Sequence, residues 1–510
     1  MINRKDYKVS DPGVAGAAGV ARDVGLWFVL GSSLLLSLAY CPPFDRIVDD
    51  KEFFKYTGMV ILKGGVPYRD FFDHKPPLIY FINAAGLLFG TWGLWAISAA
   101  MALGITYRFY QLCRKYRLGY PWVLPFLFNL MVRDNLISGG MHFTREYSTF
   151  FVMFFFITLM GRSKYRYFLL GLFAALTFFT QQDQVLLLAP LTLCVLFEKD
   201  QLSPFNRCVR MSVGFLSIAA ALVLYFAVHR SLSWFWQDAY GFNFSWYLTE
   251  KKSFGDHFRT IKRVLDHGNY ELPFMIALVL GVTSLFLQNR RKDLVAAAIL
   301  AVILSMSSEL MGGRLEGKGV PQDFNGYFLP LSAAVCMLLF IVVGFTEDRM
   351  ITDRRAQLPF ALLLCTSLTY TQLQHGTHLE RRKDEEAVHA SELAYLRGFR
   401  LADHQLFIML DEAYGYYYNE LKVVAPTPWV YQQFWLWYAN WDSDQHILRS
   451  IGEDLLRYRT TFILMDPQSL VQMRNPVNIR WWMSFLREHY DPVTIPGHPY
   501  KMLWKLKETQ

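Results

Sequence analysis

Charge is scarce in this 510-residue chain: 18% of residues are Asp, Glu, Lys or Arg, where soluble domains carry about 25%. That shortage stands beside 53% hydrophobic and 16% aromatic residues, a balance that excludes both a disordered chain and an ordinary soluble domain. Cysteine is sparse and unpatterned. Cys41, Cys113, Cys194, Cys208, Cys336 and Cys365 all lie in or beside apolar runs, with no C-x-x-C spacing, so neither a disulfide framework nor a metal cluster is indicated. No glycine-rich phosphate loop follows any candidate strand, which argues against a nucleotide site. The N-terminus does not read as a cleavable leader. The first apolar run, Leu26 to Cys41, ends in Pro42-Pro43-Phe44 instead of small residues, and reads as a first membrane helix. The formal charge of +8 sits in short clusters between apolar runs, which is topology information and not a groove for nucleic acid.

What the chain does contain is a series of apolar segments. Roughly 20 apolar residues cross a bilayer core as a helix, because lipid tolerates no unpaired backbone groups. Candidate spans fall near 25–41, 92–112, 119–137, 147–161, 166–181, 184–198, 210–229, 271–288, 294–311, 326–344 and 357–373, about eleven in all. Basic clusters at Arg108/Arg114/Lys115/Arg117, Arg162/Lys164/Arg166, Lys199/Arg207/Arg210, Arg290/Arg291/Lys292 and Arg349/Arg354/Arg355 alternate with less basic loops. They mark the cytoplasmic side, together with the N-terminal arm. Eleven crossings then leave the tail outside. Counting Leu78–Phe89 as a span breaks the alternation, so it is expected to lie in the membrane interface, started by Pro76-Pro77. The expected fold is mainly α and polytopic over 1–374, with a small α/β extracytoplasmic domain over 375–510. That domain opens on a helix from His378 to Arg400. Strands are expected at Leu406–Leu410, Val423–Val424, Phe462–Met465 and Met502–Leu506.

Chemistry concentrates in the first outside loop, about 42–91. It reads Asp49-Asp50-Lys51-Glu52-Phe53-Phe54-Lys55-Tyr56-Thr57-Gly58, then Gly65-Val66-Pro67-Tyr68-Arg69-Asp70-Phe71-Phe72-Asp73-His74-Lys75-Pro76-Pro77. Ionisable groups this close to a bilayer are functional by default. Attack of an acceptor hydroxyl on an anomeric carbon needs a carboxylate to take the proton, and a lipid-phosphate leaving group needs a fixed cation. Asp50 and Lys75 suit those roles, with Asp73 and Tyr68 as nearby substrate contacts. A solvated polar loop held by Gly and Pro turns is the other reading open on these residues alone.

The pattern Asp-x-x-x-Phe-x-Tyr-x-Gly, Gly-x-Pro-Tyr-Arg-Asp and Asp-x-Lys-Pro-Pro-x-x-Tyr resembles the start of the GT-C glycosyltransferase superfamily. It is most similar to the bacterial branch related to protein O-mannosyltransferases and the lipid A aminoarabinose transferase, glycosyltransferase family 39-like. The likeness is specific over about thirty residues and nearly silent past 375. It implies an inner-membrane enzyme that transfers a hexosyl or pentosyl unit, with inversion, from a polyprenyl-phosphate donor to a glycan, lipid or protein acceptor on the non-cytoplasmic face. The family's catalytic base maps onto Asp50, with Asp49 as the adjacent alternative, and its phosphate-binding lysine onto Lys75.

Three further clusters belong to this picture. Glu146, at the start of the fourth span, matches an acidic position in relatives. It could orient the acceptor, bind a divalent metal, or pair with Arg145 or Arg133; His142 lies beside it. Gln181-Gln182-Asp183-Gln184 forms a tight polar turn or a sugar contact. Arg314, Lys318 and Tyr327 stand where relatives carry phosphate-side groups, although Asn325-Gly326-Tyr327 replaces their His-Tyr pair. No cofactor beyond that open metal is called for. The rival class, a flippase of lipid-linked glycans, wants mid-membrane charges and inverted repeats. No clear repeat is present.

Overall fold

In the computed structural model the described residues are 23–47, 49–133, 142–161, 163–198, 201–247, 271–286, 291–305, 329–345, 358–359, 362, 366, 378–409, 413–432, 445–466, 475–495 and 498–508. The N-terminal part is helical: α1 (Val24–Leu38), α2 (Asp49–Leu62), α3 (Leu78–Leu87), α4 (Gly90–Lys115), α5 (Val123–Val132), α6 (Thr144–Met160) and α7 (Arg166–Thr180). A 3-10 stretch (Gln182–Leu188) leads into α8 (Ala189–Leu196), followed by α9 (Pro204–Val228), α10 (Leu232–Trp236), α11 (Glu271–Phe286), α12 (Lys292–Ser305) and α13 (Leu329–Phe345). Ten of the eleven expected spans coincide with these elements. The segment 357–373 lies almost wholly outside the described residues. Among the described residues, α9 is the one helix long and apolar enough to cross a membrane by itself.

Capping chemistry starts several helices where the sequence permits it. Asp23 accepts the Leu26 N–H at 3.1 Å and also takes hydrogen bonds from Tyr110 (2.6 Å) and Arg114 (2.7 Å), pinning α1 to the end of α4. Ser203 caps α9, with Pro204 in its first turn. Burial separates two kinds of helix. From Leu329 to Val342 every residue of α13 is buried, and α6 is nearly so, placing both in the middle of the bundle. By contrast, α9 leaves Phe205, Leu216, Leu224 and Val228 more than half exposed. An uncovered apolar face this long is what lipid contact requires.

The segment Leu78–Phe89 forms α3, a separate helix: Gly90, at φ 69°, breaks it from α4. The polar knot after α7 is tied down, with Thr144 donating to Gln181 (2.8 Å), Gln181 to Asp183 (2.5 Å), and Ser148 to Gln184.

The C-terminal part runs α14 (His378–Arg397), β1 (Leu406–Met409), α15 (Tyr414–Leu421), α16 (His446–Arg457), β2 (Phe462–Met465), α17 (Pro476–His489), β3 (Tyr490–Ile495) and β4 (His498–Leu506). The sheet order is β1-β2-β4-β3, with β1 and β2 parallel and the other pairs antiparallel. Val423–Val424 is no strand. It follows the left-handed Lys422 cap of α15 (φ 57°), and the Val424 carbonyl accepts the His404 N–H at 2.7 Å outside the sheet. The strand Tyr490–Ile495 was not anticipated, because it carries Pro492 and alternates weakly.

Strand residues alternate between two cores, as a two-residue period demands. Phe407, Met409, Ile463 and Met465 face α16 and α17, packing with Leu448, Leu455 and Trp482. Leu406, Ile408, Phe462 and Leu464 join the main core, which continues through the tyrosines of α15 to Phe53 and Tyr56 of α2. This second face carries the sheet onto α2.

Candidate active site

Helix α2 is gripped on two sides. A side chain at Gly58 would meet the Ala84 nitrogen and the Asn83 carbonyl carbon of α3 at 2.9 Å. One at Gly415 would meet the backbone at Glu52 and Phe53 at 2.7 Å. Glycine at both positions therefore lets α3 and α15 close onto α2 with backbone-level precision. The C-terminal part adds hydrogen bonds to the same loop. Asn419 donates to the Glu52 carbonyl (2.8 Å) and carboxylate (2.7 Å), Tyr56 accepts the Ala425 N–H (3.1 Å), and the Phe72 N–H donates to the Pro428 carbonyl (2.8 Å). Arg46 pairs with Glu385 of α14 at 2.8 Å.

Asp50 lies in the first turn of α2, where the helix dipole favours a carboxylate. Its Oδ1 accepts the Tyr431 hydroxyl at 3.2 Å and faces the Lys75 Nζ at 3.7 Å. The same ammonium stands 3.8 Å from Asp73, over the rings of Phe54 (5.2 Å) and Tyr431 (4.9 Å). Neither carboxylate is within normal hydrogen-bond reach of Nζ. An ammonium held by two carboxylates and two ring faces, but bonded tightly to neither acid, keeps its protons available to an anion. Asp50 is one-fifth exposed and Lys75 is 11% exposed, whereas Asp73 is sealed.

Asp73 and Tyr68 work behind this pair. Burial pushes the Asp73 carboxyl up, but Lys75 and the hydrogen bonds from His74 and Tyr80 outweigh it and hold the group below the usual range. It receives the Tyr80 hydroxyl at 2.8 Å and the His74 N–H at 2.7 Å. Burial depresses the His74 imidazole, and its ring lies parallel to that of Tyr431. Tyr68 adopts a left-handed backbone (φ 68°), a cost of about 1–3 kcal/mol. Its ring packs on Phe226 and Phe235, and its hydroxyl donates to the Lys75 carbonyl at 2.7 Å. Asn243 donates at 2.8 Å to the neighbouring His74 carbonyl. The lysine is thus fixed through its main chain as well as its head.

Glu146 and His142 form a separate cluster. Glu146 Oε1 accepts hydrogen bonds from Arg133 and from Ser98 (2.5 Å), and Oε2 accepts the His142 N–H at 2.6 Å. Arg133 also donates to Ser98 at 3.0 Å, and its carbonyl takes the Tyr40 hydroxyl at 2.6 Å. Burial pushes the His142 imidazole down to about 3, so the ring is neutral. The side chain of Asp49 and the residues Arg314, Lys318 and Tyr327 lie outside the described ones. Among the described residues no group of three or more His, Cys, Asp or Glu is arranged to hold a metal.

Tyr431 is a site residue that motif reading passed over. It lies 381 positions from Asp50, in a stretch anchored by Gln432 donating to the Ile408 carbonyl at 2.8 Å. The signal lies in composition: Pro426-Thr427-Pro428 followed by Trp429, Tyr431, Phe434, Trp435, Trp437 and Tyr438, an aromatic-rich run of sequence in a polar tail.

Superposition on solved structures places this arrangement in context. The chain aligns with ArnT from Cupriavidus metallidurans bound to undecaprenyl phosphate at a TM-score of 0.60 and 11% identity, over 96% of this chain and 98% of that one. The apo state of the same protein aligns at 0.59 over the same shares. The chain has the GT-C fold. No family model and no curated protein matches the sequence. At 11% identity the likeness speaks to architecture, and the chemistry rests on the side chains described above.

Proposed function

We propose that this protein is an integral membrane glycosyltransferase that moves a sugar from a polyprenyl-phosphate donor to an acceptor hydroxyl at the non-cytoplasmic surface. The observation that carries the proposal is the Asp50–Lys75 pair, 3.7 Å apart and partly open, beside a membrane-edge helix in a GT-C fold. The ArnT structure with undecaprenyl phosphate supports a lipid-phosphate ligand for this architecture. Eleven crossings with the C-terminal part outside complete the topology, and the lipid-facing apolar surface of α9 agrees with it.

In the reaction, Asp50 accepts the proton of the acceptor hydroxyl as its oxygen bonds to the anomeric carbon. The bond from that carbon to the phosphate oxygen breaks on the opposite face, with inversion. The negative charge leaves on the polyprenyl phosphate, where Lys75 meets it. The resting contact between Lys75 and Asp50 gives way when the donor arrives, while Asp73 keeps the lysine in place. Tyr68 and Tyr80 hold the loop, and Tyr431 orients the base. Glu146 has both oxygens occupied, so its part is to fix the loop before α6, with His142, and not to touch substrate.

The test is direct. Protein in lipid nanodiscs is incubated with a panel of radiolabelled polyprenyl-phosphate sugars and a cell-envelope extract, and label is followed into the extract. Transfer of one sugar is expected. Movement of intact donor across vesicles with no transfer would sink the enzyme reading.

A further inference from the structure

The opposite face of α2 lines a polar cavity. Positions 51, 52 and 55 share one side of the helix, turned away from Asp50 and Phe54. With the ends of α1, α3 and α4 they line a cavity of about 140 Å³, closed above by Arg382 of α14 and Glu420 of α15. Lys51, Glu52, Asn83 and His142 are each at least nine-tenths buried around it. So many polar groups out of water need a reason.

The charges in the wall are already answered by the protein. Lys51 pairs with Asp45 at 2.7 Å, Lys55 with Glu52 at 3.3 Å, Arg382 with Glu386 at 2.7 Å, and Arg397 with Glu420 at 2.8 Å. A further anion or cation would disturb this balance. One acceptor is left over: the carboxamide of Asn83 spends an N–H on the Ile79 carbonyl (2.9 Å), and its buried Oδ1 has no hydrogen-bond partner among the described residues. Lys55, one-fifth exposed, gives one bond to Glu52 and has further N–H donors. Trp95 has its indole N–H committed to the Ser37 carbonyl at 2.8 Å, which leaves its ring as apolar wall. The wall therefore offers an acceptor, a donor and an aromatic surface, with no net charge to satisfy.

We infer that this cavity binds a neutral saccharide ring, as an acceptor-side sugar subsite backing onto the helix that carries Asp50. The inference rests on the glycosyltransferase reading for its place in the reaction, but the binding itself does not. Ring hydroxyls would donate to Asn83 Oδ1 and accept from Lys55, with the ring's apolar face against Trp95.

Saturation-transfer NMR on the full chain in nanodiscs tests it, with methyl glycosides of glucose, galactose, mannose and N-acetylglucosamine as probes. Transfer to the ring protons of at least one glycoside is expected in the wild type and in Asp50→Asn. It should weaken roughly fivefold or more in Asn83→Leu, the loss of about one hydrogen bond. Lys55→Met repeats the test if Asn83→Leu does not fold. No transfer from any glycoside to the wild type, or undiminished transfer in a folded variant, overturns the subsite. Saccharide binding without turnover of any polyprenyl-phosphate sugar would sink the transferase reading alone, and turnover without saccharide binding would sink the subsite alone.

Discussion

Two ion pairs stand at helix ends in the N-terminal part, and they are built in opposite ways. Arg133 and Glu146 touch directly, are almost fully buried, and share further hydrogen bonds with Ser98 and the His142 N–H. Asp50 and Lys75 stand 3.7 Å apart, partly exposed, with a second carboxylate and two aromatic rings sharing the ammonium. A buried, directly bonded pair can hold chain segments together but is sealed from a substrate. A separated, partly exposed pair, held in place through the backbone, can exchange partners at little cost. The contrast separates scaffold from site better than residue type does, since both are carboxylates beside cations at a helix start.

Breaking the comparison should have unequal consequences. The largest effect on stability is expected for Glu146→Ala, which strands a buried guanidinium and costs about 3–5 kcal/mol; a thermal melt of the detergent-solubilised protein reads this, and an unchanged melt would show that the pair is not structural. Next, Lys75→Met should lower kcat/KM for the lipid donor about 100-fold with the melting temperature nearly unchanged, the reverse of the Glu146 pattern. Smaller still, Tyr431→Phe removes one hydrogen bond to Asp50 and should lower kcat about fivefold, with donor KM unaltered because the ring under Lys75 stays. The mildest effect concerns acid. Asp73 is held below its usual range in the folded state, so its stabilisation is complete above the ordinary carboxylate pKa of about 4. It is lost as pH falls through the lower folded value. Asp73→Asn should therefore flatten the acid side of the stability–pH curve below about pH 4.

The fold was legible to the degree that physics is local. Apolar length and basic alternation located ten helical segments, and Pro76-Pro77 marked the start of α3. Asp50 and Lys75 can each be named as candidates from the first loop, but that they stand 3.7 Å apart is seen only in the fold. What escaped depends on distant segments meeting. Tyr431 acquires meaning only when Gly415 lets α15 close on α2. For Glu146 the sequence leaves pairing with Arg133 as one of several readings, and nothing local reveals that Ser98 of a distant helix converges on the same oxygen. Val423–Val424 has strand residues, but the Lys422 cap and His404 take that stretch out of the sheet.

The most direct test compares the wild type with Asp50→Asn in the same nanodisc transfer assay, measuring donor binding and single-turnover sugar transfer side by side. The account predicts that donor binding persists while transfer falls about 100- to 10,000-fold. Transfer at the wild-type rate by the folded Asp50→Asn protein would contradict it.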